Sequence, residues 1–275
     1  MNCDSLGDRM KSYENIPRIA LETKQPVIIR LDGKAFHTFT KGMYRPFDNI
    51  LSNAMYRTAQ HLCANVMNCK MAYTQSDEIS LLLIDYERPE SQAWFENSLQ
   101  KMVSVAASIA TLEFNRAFRD IVNEAICAGH LDEEQCALYL SKIDRAMFDA
   151  RAFSLPVNEV CNYFIWRQQD AMRNSVQMVA RSLFSHKTLQ NKNTEELKGM
   201  LLNEYDIDFY RDVPINYARG ACIVKEYYEN NGAMRSRWIV DNTIPVFTKD
   251  RGYINQYVYV GGVVNEHVDI CERCD

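Results

Sequence analysis

Three carboxylates, at two places in the sequence, are of a type and spacing that could bind metal ions together. Asp32 ends the apolar run 26–32 and precedes Gly33. Asp77 and Glu78 lie inside a second segment, AYTQSDEISLLL. Mg²⁺ prefers oxygen ligands, and two such ions can activate an attacking hydroxyl and neutralise charge at phosphorus during nucleotidyl transfer. Either motif alone is also a common turn sequence, so a chemical role requires that the fold bring the two together.

The loop after Asp32 could hold a phosphate group. Gly33 allows the backbone to approach a ligand closely, and the amides that follow could form an anion-binding nest. His37 and Arg45 add a donor and a positive charge, as does Lys41 between them. The loop matches neither the Walker-type phosphate loop nor a dinucleotide fingerprint, and a lone histidine is more often a structural hydrogen-bonder.

Charge is distributed unevenly along this acidic chain of 275 residues, which carries 31 basic and 36 acidic residues and a formal charge of −5. A uniformly basic surface for nucleic acid is therefore excluded, but a local basic patch is not. The window 166–193 holds five basic residues against Asp170 alone. That stripe suits a folded RNA that docks on one face, although a solvated helix face has the same pattern.

The elements that must position the carboxylates follow a β-α-β-β-α-β order. Strands are predicted at 26–32, 70–75, 79–85 and 148–155. Asp48 caps the first helix, and Ser91 opens a longer one with Phe95 on its buried face. A capped insertion follows at 132–143. This ferredoxin-like order predicts an α+β fold whose antiparallel sheet has its first and third strands adjacent at the centre. Asp32 then lies beside the tight turn Ser76-Asp77-Glu78, within reach of one ion.

The second half of the chain is predicted to be a helical extension followed by a β-hairpin. A helix from Pro156 to Phe184 and a capping box at Asn193 and Glu196 precede strands at 221–228 and 235–241. Asn231-Gly232 between those strands is a strong hairpin signal. Without linkers or repeats, we expect one compact unit over 1–275, in which 156–275 packs on a core at 20–155.

Composition predicts a cytoplasmic, soluble protein without a membrane partner. The N-terminal segment is too polar for a secretory signal, and the apolar runs are too short to span a bilayer. Nine cysteines at irregular spacing favour reduced thiols. Cys271 and Cys274 form a lone C-x-x-C, which lacks the second pair of a structural zinc site and is interpreted as an inert tail.

Six motifs, in order over about residues 25 to 226, resemble the tRNA-histidine guanylyltransferase family and its wider group of 3′-to-5′ nucleotide-adding enzymes. They are RLDGKAFHTF (30–39), AYTQSDEISLLL (72–83), FDAR (148–151), WRQQDAMRNS (166–175), SHKTLQNKNTEEL (185–197) and YARGACIVKE (217–226). The resemblance implies a fold like the palm of ordinary polymerases. It also implies a site for two Mg²⁺ ions at Asp32, the Gly33 carbonyl and Asp77, with Glu78 as a neighbouring acidic residue important to activity.

The resemblance further implies positions for ATP, GTP and tRNA. The activating or incoming nucleotide would contact Gly33, Lys34, Ala35, Phe36, His37, Arg45, Asp48, Ser76 and Lys101. Weaker assignments, near the tRNA or a second nucleotide, are Arg167, Asn174, Lys187, Asn191, Lys192 and Asn193. In the implied reaction, a nucleoside triphosphate, usually ATP, activates the tRNA 5′-monophosphate and releases pyrophosphate. The 3′-hydroxyl of the incoming nucleotide then attacks the activated phosphate. Such enzymes are commonly tetramers, which implies a homo-oligomer.

One segment favours a particular branch of these enzymes. Histidine-specific members resemble one another in a His-Ile-Asn-Asn stretch after the W-R-Q motif, where this chain has Met172-Arg173-Asn174-Ser175. That difference favours the guanylyltransferase-like branch, whose members repair truncated tRNA 5′ ends by Watson–Crick templating. A tRNA-His-specific enzyme, a palm-type cyclase or conventional polymerase, and a non-catalytic RNA-binding module remain alternatives. The aliphatic strands VIIRL and ISLLLI argue against the last, since RNA-binding sheets expose aromatic residues.

Overall fold

An antiparallel sheet of six strands organises the computed structural model, which describes residues 5–260. The spatial order is β4-β1-β3-β2-β5-β6. The strands are β1 (Val27–Gly33), β2 (Cys69–Gln75), β3 (Glu78–Leu83), β4 (Phe148–Ser154), β5 (Ala221–Asn230) and β6 (Ala233–Asp241). The first and third strands are adjacent, which confirms the predicted ferredoxin-like arrangement. The hairpin is also confirmed, and because β5 pairs with β2, it continues the sheet of the core.

Helices cover both faces of this sheet. In chain order they are α1 (Ser5–Asn15), α2 (Phe36–Phe39), α3 (Asn49–Asn65), α4 (Leu99–Cys127), α5 (Glu133–Leu140), α6 (Val160–Leu183), α7 (His186–Leu189), α8 (Thr194–Tyr205), α9 (Phe209–Asp212), α10 (Ile215–Arg219) and α11 (Gly252–Val258). One hydrophobic core lies between the sheet and helices α3 and α4, and a second lies on the opposite face, under helices α6 and α11. None of the helices in residues 5–260 is long and apolar enough to cross a membrane.

Strand β1 carries Asp32 through the middle of the sheet. Ile29 and Leu31 are buried against α3 and α4, whereas Ile28 is buried in the core under α6. Burial on both faces explains why β1 is a nearly continuous apolar run, and each fully buried aliphatic side chain stabilises the fold by about 1.5–3 kcal/mol. The strand that presents Asp32 is therefore held rigidly.

Most predicted strand ends shift by one or two residues, and the largest difference is at the start of the long helix. The long helix begins at Leu99 and not at Ser91, and Phe95 is exposed and not on its buried face. The φ angles of Phe95 to Asn97 lie between 51° and 56°, a left-handed conformation that interrupts a helix. In addition, the Lys24 ammonium binds the carbonyl of Ser91 at 2.8 Å, which fixes that residue in a loop. Glu78 belongs to β3, so the turn is Ser76-Asp77 alone.

The predicted helix caps are confirmed. The Asp48 carboxylate accepts the amide of Leu51 at the start of α3, and the pairs Asp132–Gln135 and Asn193–Glu196 form capping boxes. Cys271 and Cys274 lie outside the described residues.

Candidate active site

Asp32 and Asp77 meet where β1 ends beside the turn between β2 and β3. The amide of Gly33 donates to the main-chain carbonyl of Asp77 at 3.0 Å. Asp32 lies directly opposite Glu78 in the β1–β3 ladder. Ser76, at the start of the turn, has a φ of 54°, an unusual value for a residue with a side chain. The structure therefore brings together the three acidic residues that the sequence predicts.

Asp32 and Asp77 place two negative charges close together at this edge of the sheet. Partial burial and the negative charge of Asp32 raise the pKa of Asp77 to about 6, against the smaller effects of hydrogen bonds from its own amide and from Ser76. A carboxylate pair of this kind is repulsive while both groups are ionised. A bound cation would relieve that repulsion.

The donors at this edge fit Mg²⁺ better than a metal that needs a full set of protein ligands. Over residues 5–260 there is no cluster of three or more Asp, Glu, His or Cys side chains placed to hold a metal ion. Asp32 and Asp77 would therefore supply two carboxylates, and the remaining positions would be left to phosphate oxygens and water. Mg²⁺ sites beside substrate phosphates commonly have this composition.

Glu78 has a different partner from the other two acids. Its carboxylate is held by the Arg167 guanidinium in a two-point contact, with Nε–Oε1 and Nη2–Oε2 distances of 2.7 Å each. Arg167 also lies 3.2 Å from Asp170 and 4.5 Å from the centre of the Trp166 ring. Both side chains of the Glu78–Arg167 pair are largely buried. Arg167, predicted near RNA, thus binds Glu78, and a catalytic role for Glu78 stays a prediction.

The loop after Asp32 is fixed by aromatic packing. A Cβ atom on Gly33 would lie 2.3 Å from the Phe36 ring, so this packing alone is enough to require glycine at this position. Phe36 is buried against Phe114 and Phe148. Its side chain is therefore part of the core, and only its main chain is available to a nucleotide.

The main chain of the same loop offers donors. Lys34 donates to the carbonyl of Met147 at 2.8 Å, and Ala35 has a φ of 55°. Within the described part of the chain, the amides of Ala35, Phe36 and His37 donate to no backbone carbonyl. Adjacent amides without backbone partners are compatible with the anion-binding nest that the sequence predicts, and anion binding by this loop stays a prediction.

The remaining predicted nucleotide contacts are dispersed. Ser76 adjoins the carboxylate pair, Arg45 is exposed, and the buried carboxylate of Asp48 is used in hydrogen bonds within the protein. Lys101 lies near the start of α4, at the opposite end of the sheet. Thr111 is the part of α4 near the site, because its hydroxyl accepts the amide of Phe148, which pairs with Gly33; it lies roughly 15 Å along the helix from Lys101. The structure therefore does not bring Lys101 to the carboxylates of the same chain.

The weaker RNA assignments lie on the surface of α6 and of the segment that follows it. Asn174, Lys187, Asn191, Lys192 and Asn193 are exposed. Lys192 pairs with Glu196 at 3.3 Å, and Asn193 caps α8. Among the described residues, the hydrogen bonds and ion pairs of Lys192 and Asn193 are local ones, and none reaches the carboxylates of the site.

Sequence reasoning missed several residues around the site. Arg30 shares the sheet face of Asp32, and its Nε is buried without a hydrogen-bond partner among the described residues. The period-2 alternation from Asp32 could have identified it. Tyr139 and Lys142, from the insertion between α4 and β4, contact the loop after α2. No local pattern marks these two.

The sequence model of the family described as tRNAHis guanylyltransferase matches residues 7–156. An uncharacterized protein of Acanthamoeba polyphaga mimivirus is 27% identical over 261 residues, covering 91% of this chain and 86% of that protein. The tRNA(His) guanylyltransferase of Debaryomyces hansenii is 26% identical over 214 residues, covering 73% of this chain and 74% of that enzyme.

Solved structures are similar as well. A bacterial tRNA(His) guanylyltransferase (Thg1)-like protein in complex with ATP is 46% identical, with a TM-score of 0.81 over 93% of this chain and 100% of that one. Another structure of a bacterial Thg1-like protein, in complex with GTP, gives 45% identity and a TM-score of 0.76, over 94% of this chain and 100% of that one. The tRNA(His) guanylyltransferase of Saccharomyces cerevisiae shares the fold, with a TM-score of 0.60 at 18% identity over 87% of this chain and 98% of that one.

Proposed function

Because the chain belongs to the tRNAHis guanylyltransferase family and is therefore a nucleotidyltransferase, we propose that it adds nucleotides to the 5′ end of tRNA in a Mg²⁺-dependent reaction. The observation that carries this proposal is the meeting of Asp32 and Asp77 beside a loop with free amides. Two Mg²⁺ ions would supply charge neutralisation at phosphorus and activation of the attacking oxygen. Asp32, Asp77 and the Gly33 carbonyl would hold them.

The protein's own groups then bind and orient two phosphate-containing substrates. The amides of Ala35 to His37 would accept the triphosphate of ATP or GTP, with Lys34, Arg45 and Ser76 around it. In the first step the tRNA 5′-phosphate oxygen attacks the α-phosphorus of the nucleotide, and pyrophosphate leaves. In the second step the 3′-hydroxyl of the incoming nucleotide attacks the activated 5′-phosphorus, and the nucleoside monophosphate leaves. Both steps are displacements at phosphorus, so one site can serve both.

We propose template-dependent repair of tRNA 5′ ends as the biological form of this activity. Two observations support it: the sequence Met172-Arg173-Asn174-Ser175 after the W-R-Q motif, and the identity of 46% with a bacterial Thg1-like protein against 18% with the yeast enzyme. Addition of a single guanosine to tRNA-His is the second candidate, favoured by the family model over residues 7–156.

We further propose that the enzyme acts in the cytoplasm as a homotetramer. The support for assembly is that Lys101, expected at the nucleotide, lies at the other end of the sheet within one chain. A second copy could supply this residue. Sedimentation with and without tRNA would test it, and a monomer active at all concentrations would contradict it.

The decisive experiment uses 5′-monophosphorylated tRNA that lacks its first nucleotide, with labelled ATP or GTP and Mg²⁺. Incorporation at the 5′ end that follows the opposing base supports repair, whereas guanosine added only to tRNA-His supports the second candidate. Cyclic nucleotide, 3′ extension, or binding without turnover would contradict the proposal. Asp32→Asn and Asp77→Asn should abolish incorporation, while Asp132→Asn, which keeps a capping side chain on α5, should retain it.

A further inference from the structure

The insertion between α4 and β4 holds the loop that runs from α2 to α3. We propose that Lys142 and Tyr139 are positioning residues for the nucleotide: they fix this loop so that Arg45 can reach the triphosphate. This inference rests on the proposed function, since it takes the loop to be part of the nucleotide site.

Lys142 binds the first half of the loop. Its side chain is 9% exposed, and its ammonium donates to the carbonyl of Phe39 and, at 2.9 Å, to the carbonyl of Lys41. Among the ion pairs of the described residues, none includes Lys142. The buried ammonium of Lys142 therefore donates hydrogen bonds to main-chain carbonyls at the end of α2. Carbonyls at the end of a helix have no partner within the helix.

Tyr139 binds the second half of the loop through Asp48. The Tyr139 hydroxyl donates to the Asp48 carboxylate, and these residues are 1% and 5% exposed. The same carboxylate accepts the amide of Tyr44 at 3.1 Å and the amide of Leu51 at 2.8 Å. Asp48 thus joins the loop, α3 and the insertion in one buried hydrogen-bond network.

Arg45 lies inside the stretch that this network closes. Arg45 lies between Tyr44 and Asp48 in the sequence, and the Tyr44 amide donates a hydrogen bond to the Asp48 carboxylate. The Arg45 side chain is exposed and has no ion pair among the described residues, so its charge is available to an anion. Because Lys142 and Tyr139 contact the loop and not the carboxylate pair, their loss should weaken nucleotide binding and leave the chemical step intact.

The test compares Lys142→Met with Lys24→Met. Lys24 is a matched control because its ammonium also donates to main-chain carbonyls, those of Asp85, Pro89 and Ser91, but at the far end of the sheet. We expect Lys142→Met to raise the KM for ATP and GTP about tenfold with kcat little changed, as expected when contacts worth about one hydrogen bond are lost. Lys24→Met should leave the KM unchanged.

A double-mutant cycle shows whether the effect passes through Arg45. The variant Arg45→Ala with Lys142→Met should have the same KM as Arg45→Ala alone, because a side chain that is absent needs no positioning. Additive effects on KM would overturn the inference. Should Lys142→Met fail to fold, Tyr139→Phe removes one hydroxyl only. It should accelerate hydrogen exchange of the Tyr44 amide and raise the KM, and an unchanged KM with faster exchange would also overturn the inference.

Direct titration with ATP and GTP separates this inference from the proposed function. Wild-type affinity in Lys142→Met overturns the positioning role alone. A wild-type protein that binds neither nucleotide overturns the proposed function and the positioning role together.

Discussion

Asp32 and Glu78 face each other across the β1–β3 ladder, yet their carboxylates have different partners. Arg167 neutralises Glu78 by a two-point contact, whereas Asp32 lies beside a second acid, Asp77. Three acids at one sheet edge therefore divide into one neutralised residue and one repulsive pair. The pair is the part of the edge at which a bound cation would relieve repulsion.

Asp77→Asn should abolish nucleotide addition and yet stabilise the metal-free protein. In the folded wild type the pKa of Asp77 is about 6, against an ordinary value of 3.8. The wild type therefore loses stability as the pH rises from about 3.8 to about 6, because the folded state holds its proton more tightly than the unfolded state. Above pH 6 the loss approaches about 3 kcal/mol. Urea unfolding of both proteins in EDTA, at pH 4.5 and pH 7.5, measures the difference. A variant less stable than the wild type at pH 7.5 would contradict the repulsive pair.

Arg167→Met should destabilise the protein by about 3 kcal/mol, since it leaves the largely buried Glu78 carboxylate unpaired. The double variant with Glu78→Met should recover part of that loss because no buried charge remains. Denaturant midpoints of the four proteins in the cycle measure the coupling. Arg173→Met is the control, because this arginine pairs with Asp170 at an exposed position. Equal losses of stability in Arg167→Met and Arg173→Met would contradict the conclusion that the buried Glu78–Arg167 pair stabilises the fold more than an exposed pair does.

Gly33→Ala should displace Phe36 and lower both stability and nucleotide affinity. The added methyl group would lie 2.3 Å from the Phe36 ring, which is itself confined by Phe114 and Phe148. Gly199→Ala is the matched control: no atom lies within 4 Å of its added methyl group, and alanine should stabilise α8 by about 1 kcal/mol. Thermal unfolding and ATP titration check both variants, and wild-type behaviour of Gly33→Ala would contradict this packing.

Ser76→Gly and Ser76→Ala separate the backbone of the turn from its hydroxyl. Both remove the Ser76 hydroxyl, but only glycine adopts a φ of 54° without strain. Ser76→Ala should therefore be the less stable variant by about 1 kcal/mol, while nucleotide addition falls by the same factor in both. Calorimetry and initial rates give the two quantities. Equal stability of the variants would show that the turn is unstrained.

The sequence was sufficient wherever the signal is local or follows from topology. The apolar run of β1 predicts a strand. Asp48 and Asp132 predict the starts of helices because each side chain accepts a hydrogen bond from the amide three residues later. The meeting of Asp32 and Asp77 follows from the right-handed crossovers of the β-α-β-β-α-β order.

The features that could not be predicted depend on contacts between distant residues. Arg167 binds Glu78 across 89 positions, and no spacing rule relates a helix to a strand over that interval. The helical pattern from Ser91 is interrupted before α4 because the Lys24 ammonium binds the Ser91 carbonyl and three non-glycine residues, Phe95 to Asn97, have left-handed backbone. The packing of the Phe36 ring against Gly33 is a further contact that no local pattern predicts, and the approach of a ligand to Gly33 stays a prediction.

The insertion that holds the nucleotide loop also sets an order of events during synthesis. Tyr139 and Lys142 lie 91 and 103 residues after the residues they hold, Asp48 and Phe39. At roughly 5–20 residues per second, they leave the ribosome some seconds after β3. A nascent chain thus contains Asp32 and Asp77 before Tyr139 and Lys142 can bind the loop between α2 and α3. A translation product that ends before residue 139 would contain both acids but none of the contacts that fix this loop.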